Sequence, residues 1–111
     1  MSHDEIHYKL LKILEKNPEI SQRKLARELG VSLGKANYCL HALVDRGLIK
    51  ADNFKNSPNK RQYVYLLTPS GVMAKSQAAL YFLKRKQQEY DALKHEISQL
   101  KLEVNAYDEA N

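Results

Sequence analysis

Apolar residues recur through the first half of the chain at the three- and four-residue spacing of buried helix faces. Ile6, Leu10, Ile13 and Leu14 form the first such stripe. Ser2-x-x-Glu5 has the spacing of a capping box and opens that helix. Asn17-Pro18 closes it, because proline disfavours helical geometry in the residue before it. Leu25, Ala26 and Leu29 form a second, shorter stripe behind the N-cap Ser21, and Gly30 takes the left-handed position that ends it cheaply. Ser32 caps a third helix whose inward set is Ala36, Leu40 and Leu43, with Cys39 and Val44 alongside. Lys35, Asn37, Tyr38 and His41 are left facing outward or sideways, and Gly47 ends the helix.

The period then changes. Leu48-Ile49 is the first apolar step of a strand. Residues 50–62 are polar, with Asn56-Ser57-Pro58-Asn59 supplying a turn, and Tyr63-Val64-Tyr65-Leu66-Leu67 reads as the returning strand. Thr68-Pro69 marks a new helix, Thr as N-cap and Pro at the first helical position. Nothing beyond it strongly breaks the helix; Gly71, in its first turn, weakens it only slightly. Some 35 to 40 helical residues span roughly 55–60 Å, more than a small domain buries alone.

That last helix carries a seam. Leu83, Tyr90, Ile97 and Val104 share one heptad position, and Lys86, Leu93, Leu100 and Tyr107 fall three residues later. Seven of these eight are apolar or aromatic, which predicts a two-stranded coiled coil. Packing back on the first helix is the alternative only for Leu80 to Leu83. Ile97 and Val104 at a, with Leu93 and Leu100 at d, favour a parallel pair. Glu89 and Glu96 at g then face Lys94 and Lys101 at e of the partner, whereas Glu103 meets Asp108 and Lys86 interrupts the seam. The expected fold is mainly α with a two-stranded β wing. Residues 1–68 make a winged helix-turn-helix, and residues 69–111 a long C-terminal dimerisation helix.

A helix-turn-helix of this layout fits its second helix into the major groove of DNA. The charge agrees. Residues 1–68 carry twelve Lys and Arg against seven Asp and Glu, while residues 69–111 carry six of each. The net charge of +5 is thus confined to the reading head, as a phosphate-binding surface requires. Cys39 is the only cysteine, so one chain has neither a disulfide nor a Cys-based zinc site, and a small buried hydrophobe is expected there. No apolar run has membrane-spanning length and Met1-Ser2-His3-Asp4 begins no signal peptide, so a cytoplasmic protein is expected. His3 and His7 stand four apart with no clustered third ligand, so no metal is expected. No phosphate loop, nucleophile motif or catalytic carboxylate pair is present, so no enzyme and no cofactor are expected.

SQRKLARELGVS, the RGLI that ends the recognition segment and LLTPSG after the wing resemble the MarR family of bacterial regulators. In VSLGKANYCLHALVDRGLIKADNFKNSPNKRQYVYLLTPSG the resemblance is to the short MarR-like regulators associated with exopolysaccharide gene clusters. It covers about residues 5–95. The resemblance implies a transcriptional regulator that binds double-stranded DNA. Ser32, Leu33, Gly34, Lys35, Asn37, Tyr38 and His41 would be its groove-facing residues, and Lys55, Asn56, Asn59, Lys60 and Arg61 its wing-tip contacts. Lys35 suits guanine acceptors or phosphate, and Asn37 an adenine edge. Tyr38 and Ser32 suit phosphate oxygens, Leu33 a thymine methyl, and Gly34 close approach of the backbone. The Asp-x-Arg pattern usual in the MarR wing is absent, Lys60-Arg61 being the nearest basic pair.

Larger MarR proteins build their dimer from an N-terminal helix and two C-terminal helices, with small ligands often bound nearby. Here so little chain lies outside the winged helix that no effector is expected. The competing reading is a winged helix used for protein contact, docking through its coiled coil. Confinement of the positive charge to residues 1–68 argues for DNA.

Overall fold

The computed structural model describes residues 3–53 and 63–110. Its elements run α1 (His3–Lys16), α2 (Gln22–Leu29), α3 (Leu33–Asp45), β1 (Ile49–Asn53), β2 (Tyr63–Leu67) and α4 (Pro69–Ala110). The chain divides into two compact units, residues 1–79 and residues 80–111.

In the first unit the helix stripes converge on one core. Ile6, Leu10, Leu11 and Leu14 of α1 meet Leu25, Ala26 and Leu29 of α2 and Ala36, Cys39, Leu40 and Leu43 of α3. Ile20, Ile49 and Tyr65 complete it. Two details differ from the pattern read along the chain. Leu11 is fully buried whereas Ile13 is only half-buried, so the apolar face of α1 is rotated toward Leu11. Val44 likewise stays half-buried at the edge of the core.

Helix boundaries follow local chemistry. The Ser21 hydroxyl accepts the Lys24 N–H at 3.2 Å, satisfying one of the donors that a helix start leaves free. At the other end of α2, Gly30 sits at φ 71°, a left-handed conformation that costs glycine little. Its N–H reaches the Arg27 carbonyl at 3.2 Å and the Val31 N–H reaches Ala26 at 3.0 Å. The same pair of bonds closes α3, from Gly47 to Val44 (2.9 Å) and from Leu48 to Leu43 (3.0 Å).

The strands pair antiparallel in the register Ile49↔Leu67 through Asn53↔Tyr63. β1 extends through Lys50, Ala51, Asp52 and Asn53, because backbone pairing with β2 needs no large apolar side chain there. Tyr65 ties the sheet to the helices: its N–H donates to the Pro18 carbonyl at 3.2 Å, and its buried ring carries a hydroxyl that accepts from Gln22 Nε2 at 3.4 Å.

α4 is one continuous helix of 42 residues. Gly71 is its one buried residue among those described, and the close approach there goes beyond the slight weakening expected of it. A Cβ on Gly71 would lie 1.9 Å from the Leu48 carbonyl oxygen. From Leu80 onward every apolar seam position is exposed, Ile97 at 44% and Tyr107 at 71%. Leu80 and Leu83, for which packing on the first helix is the alternative, are 55% and 54% exposed.

Candidate nucleic-acid interface

The turn between α2 and α3 aims the start of α3 outward. Ser32, in extended conformation at φ −67° and ψ 157°, begins α3 by accepting the Lys35 N–H at 3.1 Å. Because Ala36, Cys39, Leu40 and Leu43 are committed to the core, helical geometry carries the intervening positions to the opposite face. Ser32, Leu33, Gly34, Lys35, Tyr38 and His41 are all exposed, Leu33 at 44% and Tyr38 at 66%. Asn37 is half-buried, at the edge of this face. The seven α3 residues singled out from the sequence therefore share one end and one side of a single helix. Two large apolar side chains exposed there, Leu33 and Tyr38, are surplus to the core.

The surface has both acceptors and donors. Lys35 supplies a cation and Asn37 an amide with paired donor and acceptor, while Ser32 keeps its hydroxyl hydrogen after accepting the cap bond. Cys39, directly behind this face, is not part of it. Burial pushes its thiol pKa up, with Lys35 opposing the shift, so the thiol stays protonated and unreactive.

Two flanking features add to α3. Arg23, Lys24 and Arg27 are exposed along α2 and give the first helix of the motif a basic outer side. They did not stand out in the sequence because charge on an amphipathic helix reads equally as ordinary solvation. The wing-tip residues Lys55, Asn56, Asn59, Lys60 and Arg61 lie outside the described residues. The strands that lead to them are in place, with Asn53 and Tyr63 as the last pair.

No group of three His, Cys, Asp or Glu side chains gathers in metal-binding geometry among the described residues. No helix among them is long and apolar enough to cross a membrane.

A three-helix head with a helix-turn-helix and a two-stranded antiparallel wing defines a winged helix-turn-helix protein. Residues 3–50 match the family described as winged helix-turn-helix DNA-binding. Solved structures share the fold. The PcaV transcriptional regulator from Streptomyces coelicolor is 20% identical with a TM-score of 0.65, over 74% of this chain and 59% of that one. A mutant MarR from E. coli, complexed with operator DNA, is 25% identical with a TM-score of 0.62, over 75% and 58%. A MarR/EmrR family transcriptional regulator from an Acinetobacter species is 20% identical with a TM-score of 0.62, over 89% and 74%. The chain thus spans less than two thirds of the first two of these proteins. No curated protein matches it. The head has the winged helix-turn-helix fold, and its structural neighbours include MarR-family proteins.

Proposed function

We propose that this protein is a sequence-specific transcriptional regulator that binds double-stranded DNA as a homodimer. The observation that carries the reading is the face of α3 that the core leaves outside: Ser32, Leu33, Gly34, Lys35, Tyr38 and His41, with Asn37 at its edge, on the second helix of a helix-turn-helix. That helix enters the major groove, where Lys35 and Asn37 read base edges and Leu33 packs on a thymine methyl. Ser32 and Tyr38 bond phosphate, and Arg23 and Lys24 meet the backbone that α2 crosses. The wing, through Lys55, Asn56, Asn59, Lys60 and Arg61, contacts the backbone and minor groove.

Dimerisation runs along α4, through Leu83, Tyr90, Leu93, Ile97, Leu100, Val104 and Tyr107. These apolar side chains are exposed, and a second copy of the same row covers them. The opposite-sign Glu89–Lys94 and Glu96–Lys101 pairs support the parallel arrangement. The resemblance of residues 31–71 to the short regulators of exopolysaccharide clusters supports such genes as targets, and a cytoplasmic site of action. Selection of bound sequences from a random DNA pool tests the reading. An enriched inverted repeat is the expected result; a pool that returns without sequence enrichment contradicts it.

A further inference from the structure

Tyr63 and Tyr65 stand two positions apart on β2, so they share one face of the strand, yet they meet different surroundings. Tyr65 is buried: its ring completes the core and its hydroxyl accepts from Gln22 Nε2. Tyr63 is 49% exposed, and its ring centroid lies 6.5 Å from that of Tyr65. Tyr63 is thus one ring away from the start of α2, where Gln22 is the first helical residue and the exposed cations Arg23 and Lys24 follow. The strand is also fixed to that end of the head through its backbone, by the bond from the Tyr65 N–H to the Pro18 carbonyl. Neither burial nor strand pairing accounts for an aromatic at position 63. Half of it lies outside the core, and the residue opposite it in the register is the polar Asn53.

We propose that Tyr63 is a DNA-contact residue at the base of the wing, its hydroxyl donating to a phosphate oxygen of the duplex. The inference rests on the DNA binding by the head proposed above and needs no second copy of the chain. A phosphate at this place meets a neutral donor from β2 and cations from α2, the mixture from which contacts to the DNA backbone are built. A phenol suits the task, because its O–H donates to an anionic oxygen in a charge-assisted bond. Contact with the Tyr65 ring restricts the Tyr63 side chain before DNA arrives, so less freedom is lost on binding. The bonds of Tyr65 to Pro18 and Gln22 hold the base of the wing to α2, which gives the phosphate one fixed position relative to both. Such a contact sets register along the backbone and carries no base preference.

The test uses the full chain and a duplex carrying the sequence it selects from random DNA. Each phosphate of a half-site is replaced in turn by an uncharged methylphosphonate, and affinity is measured for the unmodified protein and for Tyr63→Phe. The substitution removes one exposed hydroxyl and should leave the melting temperature unchanged. It should lower affinity for a half-site by about tenfold, the worth of a hydrogen bond to a charged group. The loss should be the same for selected and unrelated sequences. In the methylphosphonate series, one position should weaken the unmodified protein and hardly affect Tyr63→Phe, because the two changes remove the same bond. A weaker Tyr63→Phe that responds to every methylphosphonate as the unmodified protein does would assign the hydroxyl a merely structural role and overturn the proposal. So would a Tyr63→Phe protein with unchanged affinity. A chain that binds no DNA at all would instead remove the reading on which the proposal rests.

Discussion

At the scale of single residues, the contacts proposed for α3 and for the wing should respond differently to substitution. Lys35→Ala or Asn37→Ala should relax base preference at one or two positions of each half-site, costing on the order of 1–3 kcal/mol apiece. Lys60→Ala and Arg61→Ala should instead weaken binding to all sequences by similar factors. Competition binding against single-base operator variants distinguishes the two patterns, and a reversed outcome would exchange the roles of helix and wing. Behind the exposed face of α3, Cys39 has a thiol whose pKa burial raises, so an alkylating reagent should modify it only as fast as the head unfolds. Rapid modification of native protein would contradict that packing. The exposure of this face of α3 was legible beforehand, because commitment of Ala36, Leu40 and Leu43 to the core leaves the intervening residues nowhere else to face. Gly71 was not. Its requirement comes from the carbonyl of Leu48, which is 23 positions away in sequence, and no local pattern reports such an approach.

At the scale of elements, the boundaries were the most legible part, since the chemistry that sets them is local. Ser21, Gly30, Ser32 and Gly47 each act within a few residues of their position, and each stands where a helix starts or stops; Thr68 caps α4 locally through Gly71 but also bonds Gly47 and Leu48, far away in sequence. Ser32→Ala removes the acceptor for the Lys35 N–H and should cost about 1 kcal/mol of stability. Gly30→Ala, at a φ of 71°, should cost about 1 kcal/mol or more. Denaturant titration of each variant checks both, and an unchanged midpoint for Gly30→Ala would argue against the left-handed turn. What could not be read was how elements meet. Leu11 is adjacent to the stripe read along α1, and its full burial reflects the packed helices around it. The bond from Tyr65 N–H to the Pro18 carbonyl joins segments 47 residues apart, and neither residue signals the other.

For the whole molecule, the division of labour lies between a head that buries its apolar residues and a helix that does not. All the core residues belong to residues 1–79, so truncation after about residue 88 removes the seam from Tyr90 to Tyr107 and leaves the core intact. The truncated protein should be largely monomeric, because fewer than two heptads cannot offset the entropy of association. Its melting should change little, and its binding to a full operator should fall toward that of an isolated half-site, a loss of roughly a hundredfold. A truncated chain that sediments as a dimer would place the main interface in the head. The central claim is that the basic head holds DNA through phosphate as well as base contacts, and the salt dependence of operator binding tests it most directly. Each neutralised phosphate contributes about −0.9 to the log–log slope, so a dimer making about six such contacts should lose roughly a thousandfold in affinity between about 50 and 200 mM salt. An affinity that hardly changes over that range would contradict the account.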